Sequence, residues 1–148
     1  RGGRIASGGR EGNTVLQIQL KPAAAKGMGP AVLLVQAERG LRRVVGRFLI
    51  QEGYELLEAS TLAEARASSP LPDILIVDAD LRGEDGTELA IELTARLPGL
   101  RVCLRAARPG ELRERIEGRG WACLEKPISP EQLTQVLRVL REGELRVG

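Results

Sequence analysis

The chain has 148 residues, of which 43% are hydrophobic and 28% charged, a balance that allows one globular domain with a buried core but not two full domains. Its 22 basic and 20 acidic residues are interleaved without a block of one sign, which argues against nucleic acid as an obligatory partner. The sequence contains no histidine, the usual general base and zinc ligand, so any chemistry must rest on carboxylates and lysine.

The first thirty residues follow a different pattern from the rest of the chain. Residues 5–7 and 15–20 are two short strand candidates around a turn-rich segment, which predicts a β-hairpin. Residues 21–30 are rich in Ala, Lys, Gly and Pro, as in a linker. An isolated hairpin has unpaired edges, so we expect that residues 1–20 could pair with a second copy in a homodimer.

From residue 31 onward, short apolar runs alternate with amphipathic segments. Continuous apolar strands that alternate with helices predict a parallel sheet covered on both faces. The predicted fold class is therefore α/β, an open doubly wound sheet with helices on both faces, preceded by the short hairpin. The five runs are Val32–Val35, Tyr54–Leu57, Ile74–Val77, Val102–Leu104 and Trp121–Leu124.

Helical spacing and capping residues predict the segments between the strands. Leu41, Val44, Val45, Phe48 and Leu49 fall on one helix face, and a glycine at position 53 follows where a C′ glycine ends a helix. The other helices are predicted from the capping pair Thr61 and Glu64, from Leu89, Leu93 and Leu97, from the weaker segment Pro109–Gly118, and from Ser129 with Gln132 ahead of Leu133.

In such a sheet, ligands and reactive groups gather outside the carboxyl ends of the strands. Asp78 directly follows the third apolar run, Asp85-Gly86 comes seven and eight positions later, and Lys126-Pro127 follows the fifth run. This combination resembles the receiver domain of two-component response regulators over about residues 31–142. The resemblance implies a flavodoxin-like sheet in the strand order 2-1-3-4-5 and membership of a phosphorelay.

The resemblance also implies a role for each of these residues. Asp78 would be the phosphoacceptor, whose carboxylate attacks phosphorus and forms an acyl phosphate, and Lys126 would supply one cation to the transferring oxygens. Receivers supply a second cation with Mg²⁺, for which Asp78, Asp80 and Glu38 are the candidate ligands here. The phosphodonor would be a histidine kinase or a phosphotransfer protein.

The sequence departs from the receiver pattern around this site. Gln36 and Ala37 stand where the first strand should end in an acidic pair, so most of the charge that holds Mg²⁺ is missing. Arg105 occupies the place of the usual small hydroxyl residue, Cys123 that of the switch aromatic, and Arg82 that of a proline. Arg105 could bind phosphate, but we favour a structural ion pair with Asp78.

A second resemblance concerns the amino end. Arg1-Gly2-Gly3-Arg4-Ile5 followed by Gly12-Asn13-Thr14-Val15 is similar to the last hairpin of a histidine kinase ATP-binding domain. This resemblance implies three parts, namely a kinase-domain fragment over residues 1–20, a linker over 21–30 and a receiver over 31–148. The parent protein would then be a hybrid histidine kinase, and any kinase activity would belong to that parent.

Three functions remain open from the sequence. The first is a receiver that accepts a phosphoryl group at Asp78 through a degenerate metal and switch pocket. The second is a pseudo-receiver, a phosphorylation-independent protein interaction or regulatory module. The third, a flavodoxin-like enzyme or nucleotide binder, is disfavoured because the loop after the first strand has a single glycine, Gly40.

The remaining expectations concern location and two residue types. No apolar stretch approaches the roughly 20 residues of a membrane span, and the amino end lacks the hydrophobic segment of a signal peptide. We therefore expect a cytoplasmic protein without membrane contact. Cys103 and Cys123 are interpreted as small buried residues rather than a disulfide, and Trp121 is expected to be partly buried beside the last helix.

Overall fold

The computed structural model describes residues 29–127 and 129–142. Within them the chain forms seven strands and five α-helices, with a short 3₁₀ segment ahead of the fourth helix. The strands are β1 (Ala31–Val35), β2 (Glu55–Ala59), β3 (Ile74–Asp78), β4 (Asp80–Leu81), β5 (Glu84–Asp85), β6 (Arg101–Ala106) and β7 (Ala122–Glu125). The helices are α1 (Arg39–Gln51), α2 (Leu62–Arg66), α3 (Gly86–Arg96), α4 (Arg113–Ile116) and α5 (Pro130–Glu142), and the 3₁₀ segment is Pro109–Leu112.

Five of the strands form one parallel sheet in the order β2-β1-β3-β6-β7. Counted along the chain as five strands, this order is 2-1-3-4-5, so the predicted flavodoxin-like, doubly wound α/β fold is confirmed. Three of the strands lie inside the sheet, and β1 and β3 are buried along their whole length. That burial explains why their sequences are continuous apolar runs rather than alternating ones.

Side chains alternate between the two faces of the sheet along each strand, so a hydrophobic core forms on each face. On β1, for example, Leu33 and Val35 face one core and Val32 and Leu34 face the other. The first core is covered by α2, α3 and the segment around α4, and the second by α1 and α5. The sheet is therefore covered by helices on both faces, as the sequence predicts.

The predicted helix boundaries are largely confirmed. Gly53, with φ +95°, follows the C-cap of α1 in the left-handed region that favours glycine. At α5, the Ser129 hydroxyl accepts from the Gln132 amide at 3.1 Å and the Gln132 side chain accepts from the Ser129 amide at 3.0 Å, a complete capping box. At α2, Thr61 accepts from the Glu64 amide at 3.1 Å, but the return bond goes to the amide of Ser60.

Three local predictions were wrong or incomplete. Val44 is 66% exposed, because it lies about 140° around α1 from the buried Leu49. Trp121 packs on the core under α2 and α3, opposite the face covered by α5, because residues 121 and 123 of the last strand region share one side of the sheet. The segment predicted as a helix over Pro109–Gly118 is only a 3₁₀ turn and one α-helical turn.

The β4–β5 hairpin was missed altogether. Asp80 pairs with Asp85 and Leu81 with Glu84, around a two-residue turn. Both turn residues have positive φ, 52° at Arg82 and 90° at Gly83, as a type I′ turn requires. Proline, which receivers usually have at the Arg82 position, cannot adopt this φ. The β4–β5 turn therefore requires a residue other than proline at position 82.

Two further results concern the ends of the chain and membranes. The predicted hairpin of residues 1–20 and most of the predicted linker at 21–30 lie outside the described residues, and so does any dimer contact through that hairpin. Within the part of the chain that the structure describes, no helix combines the length and the apolar character needed to cross a bilayer.

Candidate functional site

The register of the sheet brings three polar residues together at its carboxyl edge. Asp78 at the end of β3 is paired with Arg105 on β6, and Gln36 comes one residue after the Val35–Val77 pair of β1 and β3. Because side chains alternate along a strand, all three lie on the side of the sheet that α1 and α5 cover. Adjacent strands are about 4.8 Å apart, so the three side chains are within contact distance.

Both oxygens of the Asp78 carboxylate are engaged by neighbouring side chains. Oδ1 lies 2.9 Å from Nη1 of Arg105. Oδ2 accepts a hydrogen bond from Nε2 of Gln36 at 2.9 Å and another from Nζ of Lys126 at 3.2 Å. The side chains of Asp78 and Arg105 are only 6% and 8% exposed, so their ion pair is shielded from water. The buried negative charge is therefore neutralised entirely from within the protein.

The contact between Asp78 and Arg105 is an ion pair rather than an aligned hydrogen bond. Their two facing atoms lack a partner with hydrogen-bond geometry, although the atoms are 2.9 Å apart. The attraction is mainly coulombic and is strengthened by the low local dielectric. The structure thus places Arg105 in the ion-pair position that we favoured over phosphate binding.

Gln36 is the member of this cluster whose role we did not predict. Its side-chain amide donates to Asp78, and its Oε1 accepts from the backbone amide of Glu38 at the start of α1. Its backbone carbonyl accepts from Nη1 of Arg42 at 2.8 Å. Gln36 therefore links the Asp78 carboxylate to the first turn of α1. We interpreted Gln36 only as a missing acid, but a neutral amide can still donate to a carboxylate.

Lys126 reaches the site from the loop after β7. Its backbone amide donates to the carbonyl of Ala106 at the end of β6 at 2.9 Å, which extends the sheet by one residue. The Lys126 side chain is 34% exposed, and it lines an open cleft of about 430 Å³ together with Ala79 and Ala106. The two residues that carry the receiver resemblance, Asp78 and Lys126, thus lie in direct contact.

The other two predicted ligands, Glu38 and Asp80, and the motif residue Asp85 lie outside this cluster of contacts. Glu38 is exposed at the N-cap of α1 and makes no side-chain capping bond. Asp80 is exposed in the hairpin, where its Oδ1 accepts from the amide of Gly83 at 2.9 Å. Asp85 caps α3 by accepting from the amides of Thr87 and Glu88, and its other oxygen pairs with Arg115 at 3.1 Å.

These residues do not fit a Mg²⁺ ion. Ala37 has no side-chain atom that could bind a metal, and the side-chain amide of Gln36 donates to Asp78. The Asp78 carboxylate is already paired with the cationic side chains of Arg105 and Lys126. Among the described residues, no group of three or more His, Cys, Asp or Glu side chains is arranged to hold a metal ion. Mg²⁺ requires carboxylate oxygens with room for several waters, so the donor set disagrees with the metal that the receiver resemblance implies.

A glycine allows α3 to begin directly beside Asp78. The amide of Gly86 donates to the carbonyl of Ala79 at 2.8 Å. A Cβ at residue 86 would overlap the backbone carbonyl oxygen of Asp78. The Asp85-Gly86 pair noted in the sequence therefore has two structural tasks, in which the aspartate caps the helix and the glycine permits its close approach to β3.

The two cysteines lie on neighbouring strands but face opposite cores. Cys103 packs with the α1 and α5 core and Cys123 with the α2 and α3 core, and both are free thiols. Burial raises the pKa of Cys103 to about 12, with a further increase from the nearby Cys123 thiol and a small opposing effect of Arg105. Burial also raises the pKa of Cys123. Neither residue is activated as a nucleophile.

Known proteins share this fold and sequence pattern. The family model described as the response regulator receiver domain matches residues 32–138. The chain is 34% identical over 131 residues to the phosphate regulon transcriptional regulatory protein PhoB of Rhizobium meliloti, covering 81% of this chain and 56% of that protein. It is 32% identical over 109 residues to protein PetR of Rhodobacter capsulatus, covering 70% of this chain and 45% of that protein. The chain spans about half the length of these curated relatives.

Solved structures show the same architecture. The non-phosphorylated receiver domain of HemR from Leptospira biflexa superposes with a TM-score of 0.69 at 24% identity, covering 75% of this chain and 93% of that one. The BeF3-activated receiver domain of DrrB superposes with a TM-score of 0.70 at 17% identity, covering 78% and 99%. These identities support a likeness of fold alone. The match to the family model extends over most of the chain, and the chain belongs to the response regulator receiver domain family.

Proposed function

We propose that this receiver domain is a pseudo-receiver, a signalling module that acts through protein contacts without a phosphorylation cycle. The observation that carries the proposal is the occupation of both Asp78 oxygens, by Arg105 on one side and by Gln36 and Lys126 on the other. A nucleophilic carboxylate needs a free oxygen facing the phosphorus atom. Here the attacking group is buried and already paired.

The electrostatics of the site support the same conclusion. Arg105 and Lys126 place two positive charges on one carboxylate. A receiver with an acidic pair has the opposite charge balance and gains stability when a cation enters. In this chain the Arg105 guanidinium is a permanent counter-ion within the fold. It is also too large to repeat the inward movement of the small hydroxyl residue that it replaces.

Phosphorylation at Asp78 is the second candidate function. It is favoured by the contact of Lys126 with Asp78 and by the open cleft that Lys126 shares with Ala79 and Ala106. On this alternative Arg105 would have to leave Oδ1 and bind the incoming phosphate, for which a guanidinium is suited. The phosphodonor would be a histidine kinase or a phosphotransfer protein.

Incubation with acetyl phosphate and Mg²⁺, followed by intact-mass measurement and Trp121 fluorescence, separates the two candidates. We expect no added phosphate and no fluorescence change for the natural sequence. The matched positive control is the triple variant Gln36→Asp, Ala37→Asp, Arg105→Thr, which frees the carboxylate and restores two acids. This variant should become labelled at Asp78. Labelling of the natural sequence that disappears in Asp78→Asn would overturn the pseudo-receiver proposal.

The wider context is also part of the proposal. A hybrid histidine kinase as the parent protein is supported by the resemblance of residues 1–20 to a kinase hairpin, whereas PhoB is by name a transcriptional regulator. A cytoplasmic location is supported by the receiver family, whose phosphodonor domains act in that compartment. Mass measurement of the parent protein isolated from cells would show which domains accompany this one.

A further inference from the structure

The cleft beside Asp78 has a carboxylate in one wall that no cation of the protein neutralises. Asp80 lines the cleft from the β4–β5 hairpin. It is exposed, and it forms no ion pair with any residue that the structure describes. One of its oxygens accepts from the amide of Gly83 at 2.9 Å. The negative charge of Asp80 is therefore available to a group that enters the cleft.

Lys126 supplies a positive charge in excess at the same cleft. Asp78 is already paired with Arg105 at 2.9 Å, so Lys126 at 3.2 Å is a second cation on a single carboxylate. An ammonium group has three N–H donors, and among the described contacts Asp78 takes one of them. Because Lys126 is one-third exposed and lines the cleft, its other donors can bind an acceptor there.

The other charged side chains around the cleft have partners within the protein. Two ion pairs account for four of them, Arg108 with Glu111 and Arg115 with Asp85. The carboxylate of Glu84 accepts from the amide of Leu62 at 3.2 Å, and alternation along the hairpin puts it on the opposite side from Asp80. Asp80 and Lys126 are thus the two surplus charges of the cleft, and they have opposite signs.

The lining also contains a polar group without a partner. Thr87 lines the cleft and is fully buried, and its hydroxyl has no hydrogen-bond partner among the described residues. Buried polar groups in folded proteins are usually hydrogen-bonded, so a polar ligand atom beside Thr87 would satisfy an open requirement. The rest of the surface between the charged side chains is small or apolar, with Ala79, Ala106, Ala107 and Leu112.

We propose that this cleft binds a free α-amino acid with an apolar side chain, as an effector of the pseudo-receiver. The carboxylate of the amino acid would pair with Lys126 and its ammonium with Asp80, while its side chain would cover Ala106 and Leu112. A simple anion is a poorer fit because of Asp80, and a simple cation is a poorer fit because of Lys126. A zwitterion neutralises both charges through charge-assisted hydrogen bonds. The inference rests on the proposed function, because a phosphoryl group would otherwise occupy this cleft.

The dimensions of the cleft indicate weak binding. Its volume of about 430 Å³ exceeds that of one amino acid, and it is open to solvent. A small ligand therefore keeps part of its hydration and makes few contacts, so we expect a dissociation constant on the order of 0.1–1 mM. Bound ligand would join the hairpin to the loop after β7, across the same cleft that the Arg115–Asp85 ion pair spans.

The test is a titration of the full chain, labelled with ¹⁵N, by L-leucine, L-isoleucine, L-methionine and L-phenylalanine in turn. Amide chemical shifts are followed up to about 10 mM ligand, well above the expected dissociation constant. We expect saturable shifts at residues 79–87 and 106–112 with at least one of the four. Leucinamide lacks the carboxylate and N-acetyl-L-leucine lacks the ammonium, so each should bind at least tenfold more weakly than L-leucine.

Matched variants identify the charges that bind the ligand. Asp80→Asn and Lys126→Met should each weaken binding about tenfold or more. Glu114→Gln and Arg113→Met change the same charges at exposed positions of α4 outside the cleft lining, and should bind like the natural sequence. Thr87→Val should weaken binding severalfold while raising the urea midpoint, because it removes a buried unpaired hydroxyl. Urea unfolding of each variant restricts the comparison to folded chains.

Three outcomes would overturn the inference. They are the absence of saturable shifts with all four amino acids, equal binding of L-leucine and its two singly charged analogues, and unchanged binding in Asp80→Asn. These results are independent of the acetyl phosphate experiment. Labelling of Asp78 in the natural chain would refute the proposed function and leave a measured amino-acid affinity standing, whereas failure of the titration would leave the pseudo-receiver proposal intact.

Discussion

Neutralising Asp78 should destabilise this domain. In a receiver with several carboxylates at one site, replacing an acid by its amide relieves repulsion and stabilises the fold. Here the carboxylate is surrounded by Arg105, Lys126 and Gln36. Asp78→Asn would therefore leave the buried Arg105 guanidinium without a counter-ion. The sign of the change in unfolding free energy distinguishes the two kinds of site.

The expected size of the effect follows from burial. Removing one partner of a buried ion pair costs about 3–5 kcal/mol, and the two side chains here are 6% and 8% exposed. Lys126 is one-third exposed and can turn to solvent, so its contribution is at most about 1 kcal/mol. We expect Asp78→Asn to lower the free energy of unfolding by about 3 kcal/mol.

A double-mutant cycle isolates the pair. Arg105→Met keeps the volume and removes the charge, and should cost less than Asp78→Asn because Lys126 and Gln36 still hold the acid. The combined variant Asp78→Asn, Arg105→Met removes both charges and should recover about 2 kcal/mol relative to the sum of the single changes. Urea unfolding followed by the fluorescence of Trp121, the single tryptophan, measures all four proteins.

The assay has a clear contrary result. If Asp78→Asn is neutral or stabilising, or if the coupling between residues 78 and 105 is close to zero, Arg105 does not hold the carboxylate as described. The free energies must be compared at equal denaturant dependence, since a changed slope would indicate an altered unfolded state.

The remaining predictions concern a close backbone contact and the buried thiols. Gly86→Ala should lower the free energy of unfolding by about 3 kcal/mol or more, because a Cβ there would overlap the Asp78 carbonyl. Gly40→Ala, which has open space around it in α1, should instead raise the free energy of unfolding by about 0.5–1 kcal/mol. Similar urea midpoints for the two variants would contradict this contrast. Cys103, with a pKa raised to about 12 by burial, stays a neutral thiol in the folded chain while the unfolded chain ionises from about pH 8.5 upward. The free energy of unfolding therefore falls as pH rises from that value towards 12. Iodoacetamide should alkylate native Cys103 far more slowly than the half-buried Cys123 at about pH 8.5. Equal alkylation rates of the two cysteines, measured by mass spectrometry, would refute this expectation.

Much of the site could be predicted from the sequence alone, because its residues lie at the ends of strands. A parallel sheet brings the carboxyl ends of all its strands to one edge. Asp78 ends one of these strands and Lys126 directly follows another, so their convergence needed only the correct topology. Period-two alternation on paired strands also puts Gln36, Asp78 and Arg105 on one side of the sheet. That reasoning could have found the Gln36 contact, which we interpreted only as a lost acid.

Other features depend on contacts that no local pattern specifies. The β4–β5 hairpin requires Arg82 to adopt a left-handed conformation, which arginine rarely does without support from its surroundings. Arginine at position 105 could have pointed to solvent or to a phosphate. Its approach to Oδ1 of Asp78 results from burial between strands and helices that are distant in sequence.

The same division holds for the whole molecule. Apolar runs, capping pairs and turn glycines act within a few residues, and they specified the strands of the parallel sheet, the helix starts and the place of Asp78 at a strand end. Which oxygen of Asp78 each neighbouring side chain contacts, and on which side of the sheet Trp121 packs, depended on packing between segments tens of residues apart. Those outcomes are decided by burial and charge balance in three dimensions, quantities that exist only once the chain has folded.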